Sequence, residues 1–415
     1  MNEISKKMLE AFRCFLNGET VLWENTMTAD DWIGLFRLSQ HHQILPMIYE
    51  TVYACPDFSS CPAELAQMVK NQVIRQVMIQ GMKTEEFLQL YKKLLEKGLT
   101  PLVVKGIICR SLYREPDYRC SGDEDVLIPV EQFAACAEAF AERGMQMADP
   151  GMDPDEEGEV PYCKMGSPLH IELHKELFPA ESEAYGNLNS AFEGVFDRKI
   201  QIEVKGVPVY TMGHTDHLLY LILHAFKHFL HSGFGIRQVC DIVMYAEAYG
   251  AEIDWEYLLE TCREIHADVF AASLFDIGCK ELLFDPQQAC YPESWMSIEA
   301  DGADMLEDLI DGGVFGDSSL SRKHSSNITL QAVSEDKKGK KAGTSLVRSL
   351  FPEKKYMERT YTWLKSYPFL LPLTWVIRIE KYLKETRKTE GSDVKASIEI
   401  GNHRVDLMKK YKIIQ

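Results

Sequence analysis

The sequence predicts an α+β protein, in which a domain of short strands and helices is flanked by helical regions on both sides. Three observations predict this class. Apolar residues recur three or four positions apart up to about residue 98, short apolar runs broken by glycine follow up to about residue 212, and the helical spacing then returns. The 415 residues leave room for several domains, at roughly 100–200 residues each.

The N-terminal region, residues 1–98, is predicted to be a small helical bundle. Trp32, Leu35 and Phe36 follow the spacing of an amphipathic helix. A long helix is predicted from about residue 63 to residue 97. Gly98 ends it, because glycine readily takes the left-handed conformation that closes a helix.

Residues 99–212 form the second predicted region, in which short strands and helices are mixed. Such a mixture over little more than a hundred residues indicates a compact α/β or α+β domain. The predicted strands are residues 100–104, 126–128, 160–165, 169–174, 200–204 and 207–210, with a helix over 130–143 and the first turns of another over 107–113.

Three further regions follow. Residues 213–300 are predicted to be a helical domain, since the helical period holds from residue 215 to about residue 283. Residues 301–346 are predicted to be a polar loop or linker, because the Ser- and Lys-rich stretch 316–346 shows no apolar pattern. Residues 347–415 are predicted to be a C-terminal helical segment, interrupted by Pro368 and Pro372.

Composition limits the partners of this chain. With 45 basic and 63 acidic side chains, the net charge is −18, so long nucleic acid and anionic membrane are not expected to bind. The chain opens without a signal-peptide pattern, and its apolar runs are far shorter than the roughly 20 residues that span a bilayer. Eleven cysteines without a C-x-x-C pair indicate reduced thiols, and together these features predict a cytoplasmic protein. They leave the oligomeric state unknown.

The stretch from residue 103 to residue 128 carries the first chemical signal. A strand runs into Lys105 and Gly106 and then into a helix start. Glycine there lets the backbone approach a ligand, the free N–H groups that follow favour an anion, and Lys105 adds a positive charge for phosphate. Turns of this kind are also common without any ligand, so the signal is weak by itself.

Asp123 and Asp125 give the second signal. Residues two apart on an extended chain project from the same face, and Glu124 then points to the other face. Two carboxylates on one face repel each other unless a cation lies between them, and oxygen ligands suit Mg²⁺. The alternative is a solvated acidic turn.

Residues 169–174 add a third acid. If this run is a strand, His170, Glu172 and His174 share one face. Glu172 then joins the aspartates as a metal ligand or general base. Two alternatives stay open at this point: a separate H-x-E-x-H site for zinc, and a polar strand face with no ligand.

Taken in order, several motifs resemble the uncharacterised nucleotidyltransferase family of the polymerase-beta-like superfamily. The resemblance covers most of the chain and is weakest over residues 290–346. The matching motifs are Lys105-Gly106, Leu112-Tyr113, Arg119, Gly122–Asp125, Ile171–His174, His224–His228 and Arg237–Asp241.

The resemblance implies a small mixed sheet, with the D-x-D pair on one strand and the third acid on a neighbouring strand. It implies that Asp123, Asp125 and Glu172 are catalytic and hold Mg²⁺, with Mn²⁺ as an alternative ion. Lys105 and Gly106 take the place of the superfamily's Gly-Ser phosphate loop.

The match departs from the superfamily at the phosphate loop, because Ile107 stands where a serine is usual. Lys105 or Ser121 would compensate for the missing hydroxyl. Arg119 has two interpretations of equal weight. It neutralises the leaving pyrophosphate, or it pairs structurally with Asp117 or Glu124.

The segment from residue 215 to residue 241 supplies basic groups that lie along one face of a predicted helix. Lys227 is a candidate contact for phosphates or for the acceptor. The alternative is a packed helix whose histidines are satisfied by neighbours. The residues that this interpretation places around the pocket are His174, His224, His228, Arg237 and Asp241.

The function implied by the resemblance is Mg²⁺-dependent transfer of an NMP from an NTP such as ATP to an unidentified acceptor hydroxyl, with release of pyrophosphate. Two alternatives stay open. One is a nucleotide-binding or regulatory module that has lost turnover, suggested by the altered phosphate loop. The other is an interaction protein whose acidic triplet is only surface. The enzymatic interpretation requires Asp123, Asp125 and Glu172 to converge at a cleft.

Overall fold

Helices make up most of the chain in this computed structural model, which describes residues 1–313, 320–339, 354, 357, 361–388 and 394–415. The α+β class predicted from the sequence is confirmed. The helices are α1 (Glu3–Asn17), α2 (Ala29–His41), α3 (Leu45–Val52), α4 (Ala63–Glu96), α5 (Gly106–Arg110), α6 (Phe133–Glu142), α7 (His214–His231), α8 (Ile236–Tyr249), α9 (Trp255–Glu264), α10 (Asp268–Glu281), α11 (Glu293–Met296), α12 (Ala303–Gly312), α13 (Leu320–Lys337), α14 (Leu371–Lys388) and α15 (Val394–Lys410).

The first four helices form the N-terminal part, and their ends follow from local chemistry. Thr28 and Asp31 cap α2 reciprocally: the Thr28 amide donates to the Asp31 carboxylate at 2.8 Å, and the Asp31 amide donates to the Thr28 hydroxyl at 3.3 Å. The long helix α4 is followed by Gly98, whose φ of +76° is the left-handed conformation expected there.

A mixed five-stranded sheet forms the centre of the fold, in the order β1-β2-β5-β4-β3. Strands β2 and β5 are parallel, whereas the other neighbouring pairs are antiparallel. The mixed sheet implied by the resemblance is therefore confirmed. Its strands are β1 (Leu102–Val103), β2 (Glu124–Leu127), β3 (Gln146–Met147), β4 (Glu159–Cys163) and β5 (His170–His174).

A separate hairpin packs beside β1. Its strands, β6 (Ile200–Val204) and β7 (Val207–Thr211), are antiparallel. Lys205 and Gly206 both have positive φ, as a tight two-residue hairpin turn requires. Thr211 joins the hairpin to the sheet, because its hydroxyl donates to the Val103 carbonyl at 2.6 Å.

The C-terminal part differs from the prediction in one segment. The predicted polar loop over residues 301–346 contains α12 and α13, and α13 packs along α15. The helical face of α13 is hidden in the sequence because hydroxyl residues line it. The buried Ser325 and Thr329 each donate to a carbonyl three residues earlier, so they pack without an apolar pattern. Residues 314–319 and 340–346 of the predicted loop lie outside the described residues.

Within the described residues, no helix combines the length and the apolar character needed to cross a membrane.

Candidate active site

The strand β2 presents two carboxylates to opposite sides of the sheet. Glu124 is fully buried and accepts a hydrogen bond from the Ile107 amide at 2.8 Å and another from the Arg110 guanidinium. The next residue, Asp125, points the other way and is 2% exposed. The alternation expected of a strand therefore gives one acid a structural role and leaves the other on the opposite face.

Parallel pairing of β2 with β5 brings Asp125 and Glu172 side by side, since their Cα atoms are partners in the register. His174 follows Glu172 on the same face of β5 and is 4% exposed. Its Nε2 lies 3.5 Å from Asp125 Oδ1 and 3.8 Å from Glu172 Oε2. One donor atom from each of the three side chains lies within 4.8 Å of the others, so together they are able to hold a metal ion.

Two further acids surround this group. Glu159 on β4 lies opposite His174 in the register, with Oε2 at 3.7 Å from His174 Nδ1. Asp123 precedes β2 and is half-buried, close enough for its charge to act on Glu172. It stands outside the group of three converging donors among the described residues. We name Asp123, Asp125, Glu159, Glu172 and His174 the acidic face.

Lys105 is the positive charge in contact with this face. Its Nζ lies 3.1 Å from Asp125 Oδ2 and 3.4 Å from His224 Nε2. Burial opposes the charge of Lys105, but Asp125 and Asp123 outweigh it and raise the pKa of the ammonium.

The two neighbouring carboxylates ionise very differently. Burial works against ionisation of Asp125, yet Lys105 and His174 lower its pKa below the ordinary value. Burial raises the pKa of Glu172 to about 8, and repulsion from Asp125, Asp123 and Glu159 adds to this rise. Near neutral pH, Asp125 is therefore ionised while Glu172 largely keeps its proton, and a bound cation would favour release of that proton.

Helix α7 supplies basic groups near the acidic face. The rings of His224 and His228 lie 4.5 Å apart between centroids. Burial lowers the pKa of both, with further lowering from Lys105 and Lys227, so both rings are neutral near pH 7. Burial lowers the pKa of Lys227, and attraction to Glu159 opposes that lowering.

Arg119 is not placed at the acidic face. Its guanidinium donates two hydrogen bonds to Asp241, at 2.8 and 2.5 Å, and the Tyr113 hydroxyl donates a third at 2.8 Å. Arg119 therefore has a buried structural partner, which is Asp241 and neither Asp117 nor Glu124. Within the described residues, Asp241 accepts hydrogen bonds from Arg119 and Tyr113 and from no histidine of α7.

Arg237 lies beside that pair and holds the chain that enters β2. Its Nη1 donates to Gln43 Oε1 at 2.8 Å and to the Cys120 carbonyl. Burial lowers the pKa of Arg237, and the nearby Arg119 lowers it further. Arg237 and Asp241, expected around the pocket, thus belong to the buried surroundings of Arg119.

Ser121 and Gly106 have structural partners that the sequence does not reveal. The Ser121 hydroxyl accepts from Arg110 at 2.7 Å, and its amide donates to Gln80 at 2.9 Å. Gly106 has a φ of +37°, and a Cβ there would overlap the Glu124 carboxylate. Close approach of Glu124 therefore requires glycine at this position. Phosphate binding by Gly106 and Ser121 stays a prediction.

Lys83 is a residue that the sequence reasoning missed. It is 4% exposed, and its Nζ donates to the carbonyls of Ser121 and Gly122, both at 2.6 Å. These two residues come just before Asp123. The sequence did carry one signal for it: Lys83 falls on the helix face of α4 that is buried, together with Gln80 and Phe87.

The alternative of a zinc site at H-x-E-x-H requires both His170 and His174, and only His174 lies with the other donors. His170 is exposed and lies outside the group of three donors found among the described residues. His174 converges instead with Asp125 from the neighbouring strand. The structure therefore brings together a two-carboxylate, one-imidazole set that the H-x-E-x-H spacing does not predict.

Comparison with known proteins gives one result that bears on this site. A family model described as an uncharacterised nucleotidyltransferase matches residues 28–282, which include the whole five-stranded sheet and α7. Searches of the curated proteins and of the solved structures gave no match.

Proposed function

Because this chain belongs to the uncharacterised nucleotidyltransferase family, we propose that it transfers an NMP from an NTP to an acceptor hydroxyl and releases pyrophosphate. One observation carries the proposal. The parallel register of β2 and β5 sets the buried Asp125 beside Glu172, with Asp123 two residues earlier in the chain. Neighbouring carboxylates on a buried face are an arrangement suited to phosphoryl-group transfer with a divalent cation.

The residues present fit such a cation. Both ring nitrogens of His174 are buried and have no hydrogen-bond partner within the described chain. Asp125 and Glu172 would hold the ion together with His174, and Asp123 would add negative charge nearby. When bound, a divalent cation neutralises phosphate charge and polarises the phosphoryl group under attack.

The basic side chains then bind the triphosphate. Lys105, already at the acidic face, and Lys227 on α7 would provide ammonium groups for the phosphates. Both would offset the charge of the phosphate oxygens, which the acidic face alone would repel. Burial lowers the pKa of Lys227, and phosphate oxygens beside it would favour the charged ammonium form.

Glu172 is the proposed general base. Its pKa of about 8 keeps it largely protonated near neutral pH in the metal-free chain, so it would act as a base once a bound cation has favoured release of that proton. The acceptor hydroxyl gives its proton to the Glu172 carboxylate as its oxygen bonds to the α-phosphorus. The bond from that phosphorus to the bridging oxygen breaks, and pyrophosphate leaves with the electron pair.

The proposal is tested with full-length protein, Mg²⁺ or Mn²⁺, and each NTP. Isothermal titration compares wild type with Asp123→Asn and Asp125→Asn, and Glu157→Gln is the control, since it is an exposed acid of a neighbouring loop. We expect both aspartate variants to lose metal-dependent NTP binding, and NMP transfer from α-labelled NTP in cell extract to fall at least about 100-fold. Equal metal-dependent binding in wild type and in both variants would overturn the proposal.

A second candidate is a nucleotide-binding module without turnover, and one contact favours it. The Ile107 amide, at the start of α5, donates to Glu124, which occupies the position where a phosphate loop would receive its ligand. Tight NTP binding without transfer of label to any component of the extract would support this candidate over the enzyme.

A further inference from the structure

His174 is the least expected member of the acidic face. The ring is nine-tenths or more buried, and neither nitrogen has a hydrogen-bond partner in the part of the chain that the structure describes. Each nitrogen nevertheless faces carboxylates, Asp125 and Glu172 on one side and Glu159 on the other. A buried polar group without a hydrogen bond is costly, and ligation of a cation would offset that cost.

The spacing of the three donors resembles that of metal ligands. Metal–ligand bonds of about 2.1 Å put neighbouring tetrahedral ligands about 3.4 Å apart. His174 Nε2 is 3.5 Å from Asp125 Oδ1 and 3.8 Å from Glu172 Oε2. Small side-chain movements would therefore complete the arrangement. The backbone need not move, because all three residues lie on paired strands.

Lys105 does not compete directly for the same oxygen. Its Nζ contacts Asp125 Oδ2, whereas His174 faces Asp125 Oδ1. One oxygen of the carboxylate is therefore held by the ammonium group, and the other is turned toward Glu172 and His174. This division fixes the orientation of the carboxylate before any ligand arrives.

The chemical nature of the donors determines which ion they suit. Mg²⁺ prefers oxygen ligands, keeps several waters and usually relies on substrate phosphates to complete its site. Imidazole is a better ligand for transition-metal ions. A set of two carboxylates and one imidazole, all from the protein, therefore differs from a typical Mg²⁺ site in both donor type and number.

We propose that Asp125, Glu172 and His174 form a site for a divalent transition-metal ion, which binds before the nucleotide, and that His174 makes the site prefer such an ion to Mg²⁺. The use of this ion in NMP transfer rests on the proposed function, but its binding does not. Because the protein supplies three ligands, the ion should bind in the absence of NTP, and NTP should tighten its binding further.

The test is a titration of chelator-treated full-length protein with Mn²⁺ alone. Electron paramagnetic resonance measures the concentration of free Mn²⁺ at each step. We expect one Mn²⁺ per chain and competition by Mg²⁺ at least about tenfold weaker. His174→Gln should weaken Mn²⁺ binding by about 10- to 100-fold and change Mg²⁺ binding by less than about threefold. His170→Gln, an exposed histidine of the same strand, is the matched control and should change neither.

A second measurement needs no variant, so it holds even if His174→Gln fails to fold. Electron spin-echo spectra of Mn²⁺ bound to wild-type protein should show coupling to an imidazole nitrogen. Equal affinity for Mn²⁺ and Mg²⁺, or bound Mn²⁺ without nitrogen coupling, would overturn the inference. NMP transfer with Mg²⁺ in a protein that binds no Mn²⁺ would overturn it and leave the proposed function standing. A nitrogen-coupled Mn²⁺ site without transfer from any NTP would do the reverse.

Discussion

Two groups of buried charge are built in opposite ways, although one member of each, Arg119 and Asp125, lies only six positions from the other along the chain. Arg119 and Asp241 form a closed pair, in which both carboxylate oxygens accept hydrogen bonds of 2.5–2.8 Å. Asp125 and its neighbours form an open group, in which His174 lies 3.5–3.8 Å from the carboxylates and makes no hydrogen bond among the described residues.

Burial does not explain the difference, because Arg119 and Asp125 are both almost fully buried. A buried ion pair offsets the loss of hydration only when its geometry is tight and its remaining atoms are hydrogen-bonded. The Arg119 pair meets the geometric condition, although Arg119 Nη1 has no hydrogen-bond partner among the described residues, and the acidic face does not meet it. The contrast indicates that the first group serves stability and that the second retains binding capacity, as perturbed groups at functional sites commonly do.

The largest expected effect comes from breaking the closed pair. Arg119→Met leaves Asp241 as a buried charge without its cation, so we expect the free energy of unfolding to fall by about 3–5 kcal/mol. Chemical denaturation followed by circular dichroism measures this loss.

The matched control is Arg13→Met. Arg13 forms an ion pair with Glu281 at 2.7 Å, and both side chains are partly exposed to solvent. Its removal should change stability by no more than about 1 kcal/mol. An equally small change in Arg119→Met would show that the closed pair is not a structural element.

A smaller loss of stability is expected from Glu124→Gln. This variant tests whether Glu124, on the opposite face of β2 from Asp125, has a structural role. The amide keeps the size of the side chain but removes the charge that Arg110 and the Ile107 amide share. We expect the free energy of unfolding to fall by about 2–3 kcal/mol, in the range of buried hydrogen bonds to charged groups. Glu131→Gln, an exposed acid just after the same strand, should leave the midpoint of denaturation unchanged. Identical midpoints for the two variants would contradict this assignment.

Lys83→Met tests the segment that joins Arg119 to Asp125, because Lys83 donates to two carbonyls of that segment. Its effect on the free energy of unfolding should be weaker. The substitution removes two hydrogen bonds to the segment that enters β2, but it also relieves the burial of an ammonium group. We therefore expect a net loss of about 1–2 kcal/mol on unfolding. Lys92→Met, on an exposed position of the same helix, is the control and should be neutral. If both variants unfold at the same denaturant concentration, Lys83 does not hold this segment.

Much of the fold was predictable because local patterns determine it. The spacing of apolar residues placed α4 within one residue of each end, and Gly98 marked its end. Alternation along 123–125 correctly predicted opposite directions for Glu124 and Asp125. The exception is α13, where hydroxyl residues that bond their own helix replace the apolar row.

The partners of the charged residues were harder to predict, because they are set by tertiary contacts. Arg119 meets Asp241 across more than a hundred residues, and no local spacing encodes that pair. Whether His174 or His170 joins Glu172 depends on the parallel register with β2, which pairs with residues 171–174 of β5 and leaves His170 without a partner on that strand. A single strand pattern gives both histidines the same face and therefore cannot choose between them.

The smallest expected effect is a dependence of the unfolding free energy on pH. It comes from the open group and is not expected of the closed pair. In the metal-free folded chain the pKa of Glu172 is raised to about 8, against an ordinary value of 4.5. Between these values the folded state holds a proton that the unfolded chain has lost, so stability falls as pH rises from about 4.5 to about 8. His174, whose pKa is also raised by Asp125 despite burial, acts in the same direction.

Glu172→Gln removes this penalty, because the amide stays neutral at every pH and keeps the shape of the side chain. With a chelator present, we expect the variant to match wild type near pH 5 and to be more stable by about 1 kcal/mol above pH 8, a modest gain since solvent screens this partly exposed side chain. The slope of unfolding free energy against pH measures it. A closed pair gives no such gain, so parallel slopes for the two proteins would place the acidic face with Arg119 and Asp241 as a group built for stability alone.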